Sequence, residues 1–122
     1  FSFLGHLHEM MGGKLSCIID THAVPVLPGA EKAADDFLYT AAGQRNRNHT
    51  GPFVRFEKVP FPMEEILFDP QTSGGLLFAV APQDAAALKA ELQAQIRYPQ
   101  FRRAKIVGEI IPKTEQEITV KY

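Results

Sequence analysis

Only one cysteine, Cys17, occurs in the 122 residues. That excludes an internal disulfide framework and a multi-cysteine zinc site, and it fits a reducing compartment, here cytoplasmic. Net charge is nearly absent too: 13 Lys and Arg stand against 14 Asp and Glu, for a formal −1. The broad positive field of a nucleic-acid binder is therefore missing, so no nucleic-acid partner is expected, although a local basic patch stays open. No apolar run nears the ~18 residues of a membrane-spanning helix, so no membrane partner is expected either. Phe1–Leu4 is not read as a signal peptide, having neither a basic flank nor a long apolar stretch. Internal repeats and low-complexity tracts are also lacking. What remains is an ordinary globular composition, 45% hydrophobic and 22% charged, at a length that suits one domain. A chain of this size buries roughly two thirds of its unfolded surface, enough for one core without covalent staples.

Periodicity divides the chain. Phe3, Leu4, Leu7, Met10 and Met11 form one apolar stripe, which predicts a helix over 1–12, stopped by Gly12-Gly13. Ser2 is its candidate N-cap, without the Glu or Gln of a capping box, since Gly5 takes that place. Leu15–Asp20 predicts a strand, and Pro25 and Pro28 keep 24–29 irregular. A second helix is expected over 29–42, with Ala30, Ala33, Ala34, Phe37, Leu38 and Ala41 inward and Gly43 as its stop. Residues 44–52 are polar or turn-forming and read as loop. Phe53–Val59 alternates like a strand, Pro60 and Pro62 bracket a bend, and Met63–Phe68 suits one helical turn. The apolar run Leu76–Ala81 predicts a strand covered on both faces. Pro82 then opens a third helix, with Ala85, Leu88, Leu92 and Ile96 inward. Lys105–Ile111 and Glu117–Tyr122 complete the list of strands. This order implies an α+β fold, a layered domain with helices packed on a mixed sheet.

Chemistry concentrates in Asp69-Pro70-Gln71-Thr72-Ser73-Gly74-Gly75, which runs straight into Leu76. Two successive glycines let backbone approach a ligand closely, and Thr72 and Ser73 set two hydroxyls beside them. Free N–H groups in such a turn make an anion-sized nest. The alternative is a strand-entry turn in which Asp69 caps and the hydroxyls satisfy local backbone. The segment is neither a P-loop nor a dinucleotide fingerprint, because the required lysine and glycine spacings are missing.

Asp69 to Leu77 resembles the signature of selenophosphate synthetase (selenide, water dikinase). Phe1–Met10 is similar to that family's Gly-Phe-Gly-Leu-Leu-Gly-His helix, Ala23–Ala30 to its Pro-x-Leu-Pro-Gly linker, and Ile106–Ile110 to a late strand. The resemblance implies the C-terminal domain of the type shared with aminoimidazole ribonucleotide synthetase, an α/β layered domain partly of ferredoxin-like arrangement. It further implies a two-domain enzyme that makes selenophosphate, AMP and phosphate from selenide, ATP and water with Mg²⁺, and that acts as a dimer. The family's reactive Cys or selenocysteine, its lysine and most metal-binding aspartates lie in the N-terminal domain. Another of its metal-binding aspartates falls just before the position matching Phe1. Residues 1–122 are accordingly expected to be a C-terminal fragment, starting inside a helix, without catalytic or metal-ligating residues and inactive without its N-terminal domain. Its expected contribution to the nucleotide-phosphate site is Asp69, Gln71, Thr72, Ser73, Gly74 and Gly75. Arg45 and Asn46 are added from the resemblance to an Arg-Asn pair after the second helix; Arg47 and Asn48 fit that pair equally. Where this chain has Ser2 the family usually has glycine.

Other residues point to structure rather than chemistry. His6 and His8 lie about 200° apart around a helix and cannot share a metal. Cys17 suits a small core position. The sequon Asn48-His49-Thr50 has no meaning in a reducing compartment. Glu64 and Glu65 open a helical turn, where negative charge is favourable. Asp69 either approaches a metal or caps its own loop. Two other functions stay in view: another ATP-binding member of the same superfamily, and a free-standing ferredoxin-like ligand-binding or regulatory module.

Overall fold

Four strands form one sheet in the computed structural model, which describes residues 1–98 and 103–122. They are β1 (Leu15–Asp20), β2 (Val54–Glu57), β3 (Gly108–Pro112) and β4 (Ile118–Lys121), in the order β2-β4-β1-β3. β4 runs parallel to both β1 and β2, whereas β3 is antiparallel to β1. Register sets Cys17 beside Ile118 and Ile19 beside Val120, with Val54 and Phe56 opposite the same two β4 residues. Side chains alternate across a strand, so all six share one face.

Two helices cover that face. α1 (Phe3–Met11) brings Leu4, Leu7 and Met11, and α4 (Phe61–Phe68) brings Met63, Leu67 and Phe68. Leu4, Leu67, Phe68, Ile118 and Val120 are fully buried, each worth roughly 1.5–3 kcal/mol of transfer free energy. α1 begins as its sequence suggests: Ser2 Oγ accepts from the Gly5 amide at 2.9 Å. It ends at Gly12, whose φ of +56° is left-handed and whose amide donates to the His8 carbonyl.

The helix expected over 29–42 is instead two. α2 (Ala30–Asp35) is short, and α3 (Ala41–Thr50) is built from the segment expected to be loop. Between them Phe37 takes a φ of +61°, which no continuing helix allows, and both Phe37 and Leu38 are exposed rather than inward. Thr40, extended at φ −93° and ψ 149°, caps α3 by accepting from the Gly43 amide at 3.0 Å. Gly43 therefore lies in the first turn of a helix and stops none. A 3₁₀ turn over Gly51–Phe53 leads into β2.

α4 is longer than the single turn expected, with Pro62 in its first turn, where the missing N–H costs nothing. The strand expected over Leu76–Ala81 is not formed. The run has no strand pairing, and Leu76, Phe78 and Val80 are 84%, 52% and 43% exposed, with only Leu77 packed against the core. An apolar run becomes a buried strand only where neighbouring strands accept its backbone, and here none does. α5 (Pro82–Gln95) has the expected start, and Ala85, Leu88, Leu92 and Ile96 are its half-buried side, but none of its residues is buried. β3 starts at Gly108, three residues later than the strand expected from Lys105.

Candidate functional site

The loop from Asp69 to Gly75 leaves the end of α4. Asp69 precedes a proline, which disfavours helical geometry, and it adopts φ −59° and ψ 139°. Its amide still donates to the Glu65 carbonyl at 2.9 Å, so the helix hands the chain directly to the loop. Both carboxylate oxygens are engaged. Oδ2 accepts from the Gln71 amide and Oδ1 from the Thr40 hydroxyl, each at 3.3 Å. Asp69 thus caps its own loop and ties it to the first turn of α3. Gln71 reaches back from the other side, its Nε2 donating to the Ile66 carbonyl at 3.1 Å.

Beyond that anchor the backbone is held open. Gln71 and Ser73 are left-handed, at φ +52° and +63°, and the Gly74 amide donates to the Gln71 carbonyl at 2.9 Å. A Cβ on Gly74 would stand 2.9 Å from that same carbonyl oxygen, closer than carbon and oxygen tolerate, whereas one on Gly75 would meet nothing within 4 Å. The first glycine closes the turn; the second leaves room in front of it. Thr72, Ser73 and Gly75 are exposed, and among the described residues neither their amides nor the two hydroxyls have a partner. The hydroxyls are therefore not spent on local backbone. Unpartnered donors on a rigidly based turn can meet the oxygens of an anion.

The polar pair divides. Asn46 sits on α3, not in a loop, and its Nδ2 donates to the Phe68 carbonyl at 2.8 Å, at the root of the Asp69 loop. Arg45 also lies on α3, exposed and without an ion pair among the described residues. Arg47 is committed inside the protein. Its Nη1 donates to Glu64 at 2.9 Å and its Nη2 to Glu65 at 2.5 Å, while its guanidinium lies 4.7 Å over the Phe68 ring. Of these residues Asn46 makes a contact at the root of the loop, and Arg45 is an exposed cation without an ion pair among the described residues. The structure thus brings Asn46 and the Asp69 loop together.

Thr40 was missed, hidden inside the single helix expected over 29–42. It carried little local signal: a threonine can cap, but Gly43, a poor helix former, stands in the first turn behind it. Among the described residues no group of three His, Cys, Asp or Glu side chains is arranged to hold a metal ion. His8 lies across α1 against Phe53, with ring centroids 4.1 Å apart, and pairs with Glu117 at 2.5 Å. Cys17 is 1% exposed; burial, helped by the Glu117 carboxylate, pushes its thiol up to about 11. It is a core residue, as its strand position suggests.

Residues 1–121 match the family model described as AIR synthase related protein, C-terminal domain. A selenide, water dikinase of Agathobacter rectalis is 58% identical over 95 residues, covering 77% of this chain and 28% of its own length. The enzyme of the same name from Desulfitobacterium hafniense strain Y51 is 41% identical over 123 residues, covering 99% of this chain and 34% of its own. That from Treponema denticola is 36% identical over 121 residues, covering 98% and 34%. The chain spans about a third of the length of the curated relatives it matches.

Proposed function

The chain belongs to the AIR synthase related C-terminal domain family, and from that premise we propose that it is the C-terminal domain of a selenide, water dikinase. The whole enzyme converts selenide, ATP and water into selenophosphate, AMP and phosphate. In this reading the N-terminal domain, the chain's principal partner, holds Mg²⁺ and the reacting nucleophile. When bound, the metal neutralises phosphate charge and so favours phosphoryl transfer.

What this chain does is bind and orient. The observation that carries the reading is the open turn of Thr72, Ser73 and Gly75 on a base locked by Asp69, Thr40, Gln71 and Asn46. Its amides and hydroxyls, without partners among the described residues, receive phosphate oxygens of the nucleotide, and Arg45, without an ion pair among them, adds a cation from α3. Fixed donors cost no reorganisation during the reaction. Dimerisation belongs to the same reading and is carried by the rest of the enzyme; a cytoplasmic setting accords with the single, buried cysteine.

A second reading, another phosphoryl acceptor within the same superfamily, draws on the family description, which names AIR synthase rather than selenium. One assay separates them. The intact polypeptide should form AMP from ATP only when selenide is present, and the chain of residues 1–122 by itself should turn over no ATP. Gly74→Val in the intact polypeptide should lower kcat at least ~10-fold, because the added methyls collide with the Gln71 carbonyl and distort the turn. Full activity in a well-folded Gly74→Val enzyme removes the loop from the phosphate site, and AMP formation indifferent to selenide removes selenide as the substrate.

A further inference from the structure

A cleft lies at the opposite end of α4 from the Asp69 loop, beyond the carboxyl ends of the three parallel strands. Thr21 and His22 follow β1, Tyr122 follows β4, and Pro60 and Pro62 follow β2, and all five line it. Crevices outside the carboxyl ends of parallel strands are where open α/β sheets take ligands, because the chain diverges there into separate connections. The volume is about 420 Å³, inside the roughly 300–1,000 Å³ range of small-molecule sites.

Its walls differ in chemistry. Val24, Val26, Pro60, Pro62 and Met63 make an apolar wall. α2 contributes Glu31, Lys32 and Asp35, the two carboxylates one turn apart on the helix. Lys32 also lines the cleft, but its ammonium is engaged by Asp36 at 2.9 Å, so Glu31 and Asp35 are carboxylates of the lining without an ion pair among the described residues. Thr21, also in the lining, is 6% exposed, and its Oγ1 has no hydrogen-bond partner among the described residues. Buried hydroxyls are normally paired, so this one keeps unused hydrogen-bonding capacity at the cleft lining. His22 donates its backbone amide to Asp20 Oδ1 at 2.9 Å, and its ring lies against Tyr122 with centroids 4.5 Å apart. An aromatic pair beside carboxylates favours a cation with a flat or apolar body.

We propose that this cleft is a second ligand site, separate from the nucleotide-phosphate loop, and that it takes a small organic cation whose ammonium or amidinium group meets Glu31 and Asp35 while its apolar body lies on Val26 and Met63. The inference stands independently of the dikinase reading. Tryptamine is a suitable probe and indole-3-acetate its control, because the two share a ring and differ in the sign of the charge.

The intact polypeptide carrying this chain, labelled for NMR, should bind tryptamine with a dissociation constant of roughly 1 mM or tighter. Its shift changes should centre on the methyls of Val24, Val26 and Met63 and the amides of Thr21 and His22. Glu31→Gln with Asp35→Asn, two exposed positions whose change leaves the core untouched, should weaken binding at least ~10-fold. On the unaltered protein, raising salt should weaken tryptamine progressively, and indole-3-acetate should not bind. The proposal is overturned if tryptamine causes no shifts, if the shifts map elsewhere, if indole-3-acetate binds as well, or if neither the double variant nor salt changes the affinity.

Discussion

Ser2 holds a backbone conformation that ordinary side chains avoid. Its φ of +84° and ψ of 157° belong to a region populated almost solely by glycine, and such a residue carries about 1–3 kcal/mol of strain. The selenophosphate synthetase motif it resembles has glycine here, which accounts for the difference in physical terms. Serine offsets part of the cost by capping α1 through Gly5, and a glycine cap is weaker only by a few tenths of a kcal/mol. Ser2→Gly should therefore raise the unfolding free energy by about 1 kcal/mol. Ser2→Ala keeps the strain, loses the cap and should lower it by about 1 kcal/mol. Urea unfolding of the two variants against the parent decides the matter, and a Ser2→Gly protein less stable than the parent would mean that the cap outweighs the backbone strain.

At the scale of elements, the α3–α4 contact is fastened by charge. Glu65 is 4% exposed, and Arg47 supplies the opposite charge from a helix that was expected to be loop. Arg47→Ala should cost about 2–3 kcal/mol, less than a fully buried pair because the arginine keeps some solvent, since an unpaired carboxylate is left inside. Glu65→Gln in the same chain should recover at least ~1 kcal/mol. Additive losses in a double-mutant cycle would mean that the pair does not couple. The same clamp explains what was legible in the sequence. α1, β1, β4 and the span of α5 carry their own periodicity and their own boundary residues, such as Gly12 at the end of α1 and Pro82 at the start of α5. α3 carries none: its polar side chains find partners in distant segments, Asn46 on Phe68 and Arg47 on Glu64 and Glu65, so nothing local distinguishes it from a loop. The diglycine turn was legible because Gly74 and Gly75 need no partner to be noticed. Thr40 was not, because its role depends on Asp69, 29 residues further on.

Across the whole molecule, apolar packing gathers on one face of the sheet, under α1 and α4, and is sparse elsewhere. The core is drawn from β1, β4, α1, α4 and Val59, whereas α5 buries nothing. The strongest apolar run in the sequence, 76–81, stands largely in solvent, with β3 exposing Ile110 nearby in the chain's closing segment. Two structural expectations for that run differ by several kcal/mol, which makes the difference measurable. A phenylalanine buried in a strand loses about 3–5 kcal/mol on truncation, whereas an exposed one changes stability by less than ~0.5 kcal/mol. Phe78→Ser, measured by urea unfolding of residues 1–122, should show the smaller value. Because exposed apolar side chains promote association, the same substitution should also reduce concentration-dependent self-association in sedimentation. A loss above ~2 kcal/mol would return Phe78 to a packed interior. It would also make Leu76–Ala81 the covered strand that its composition suggests.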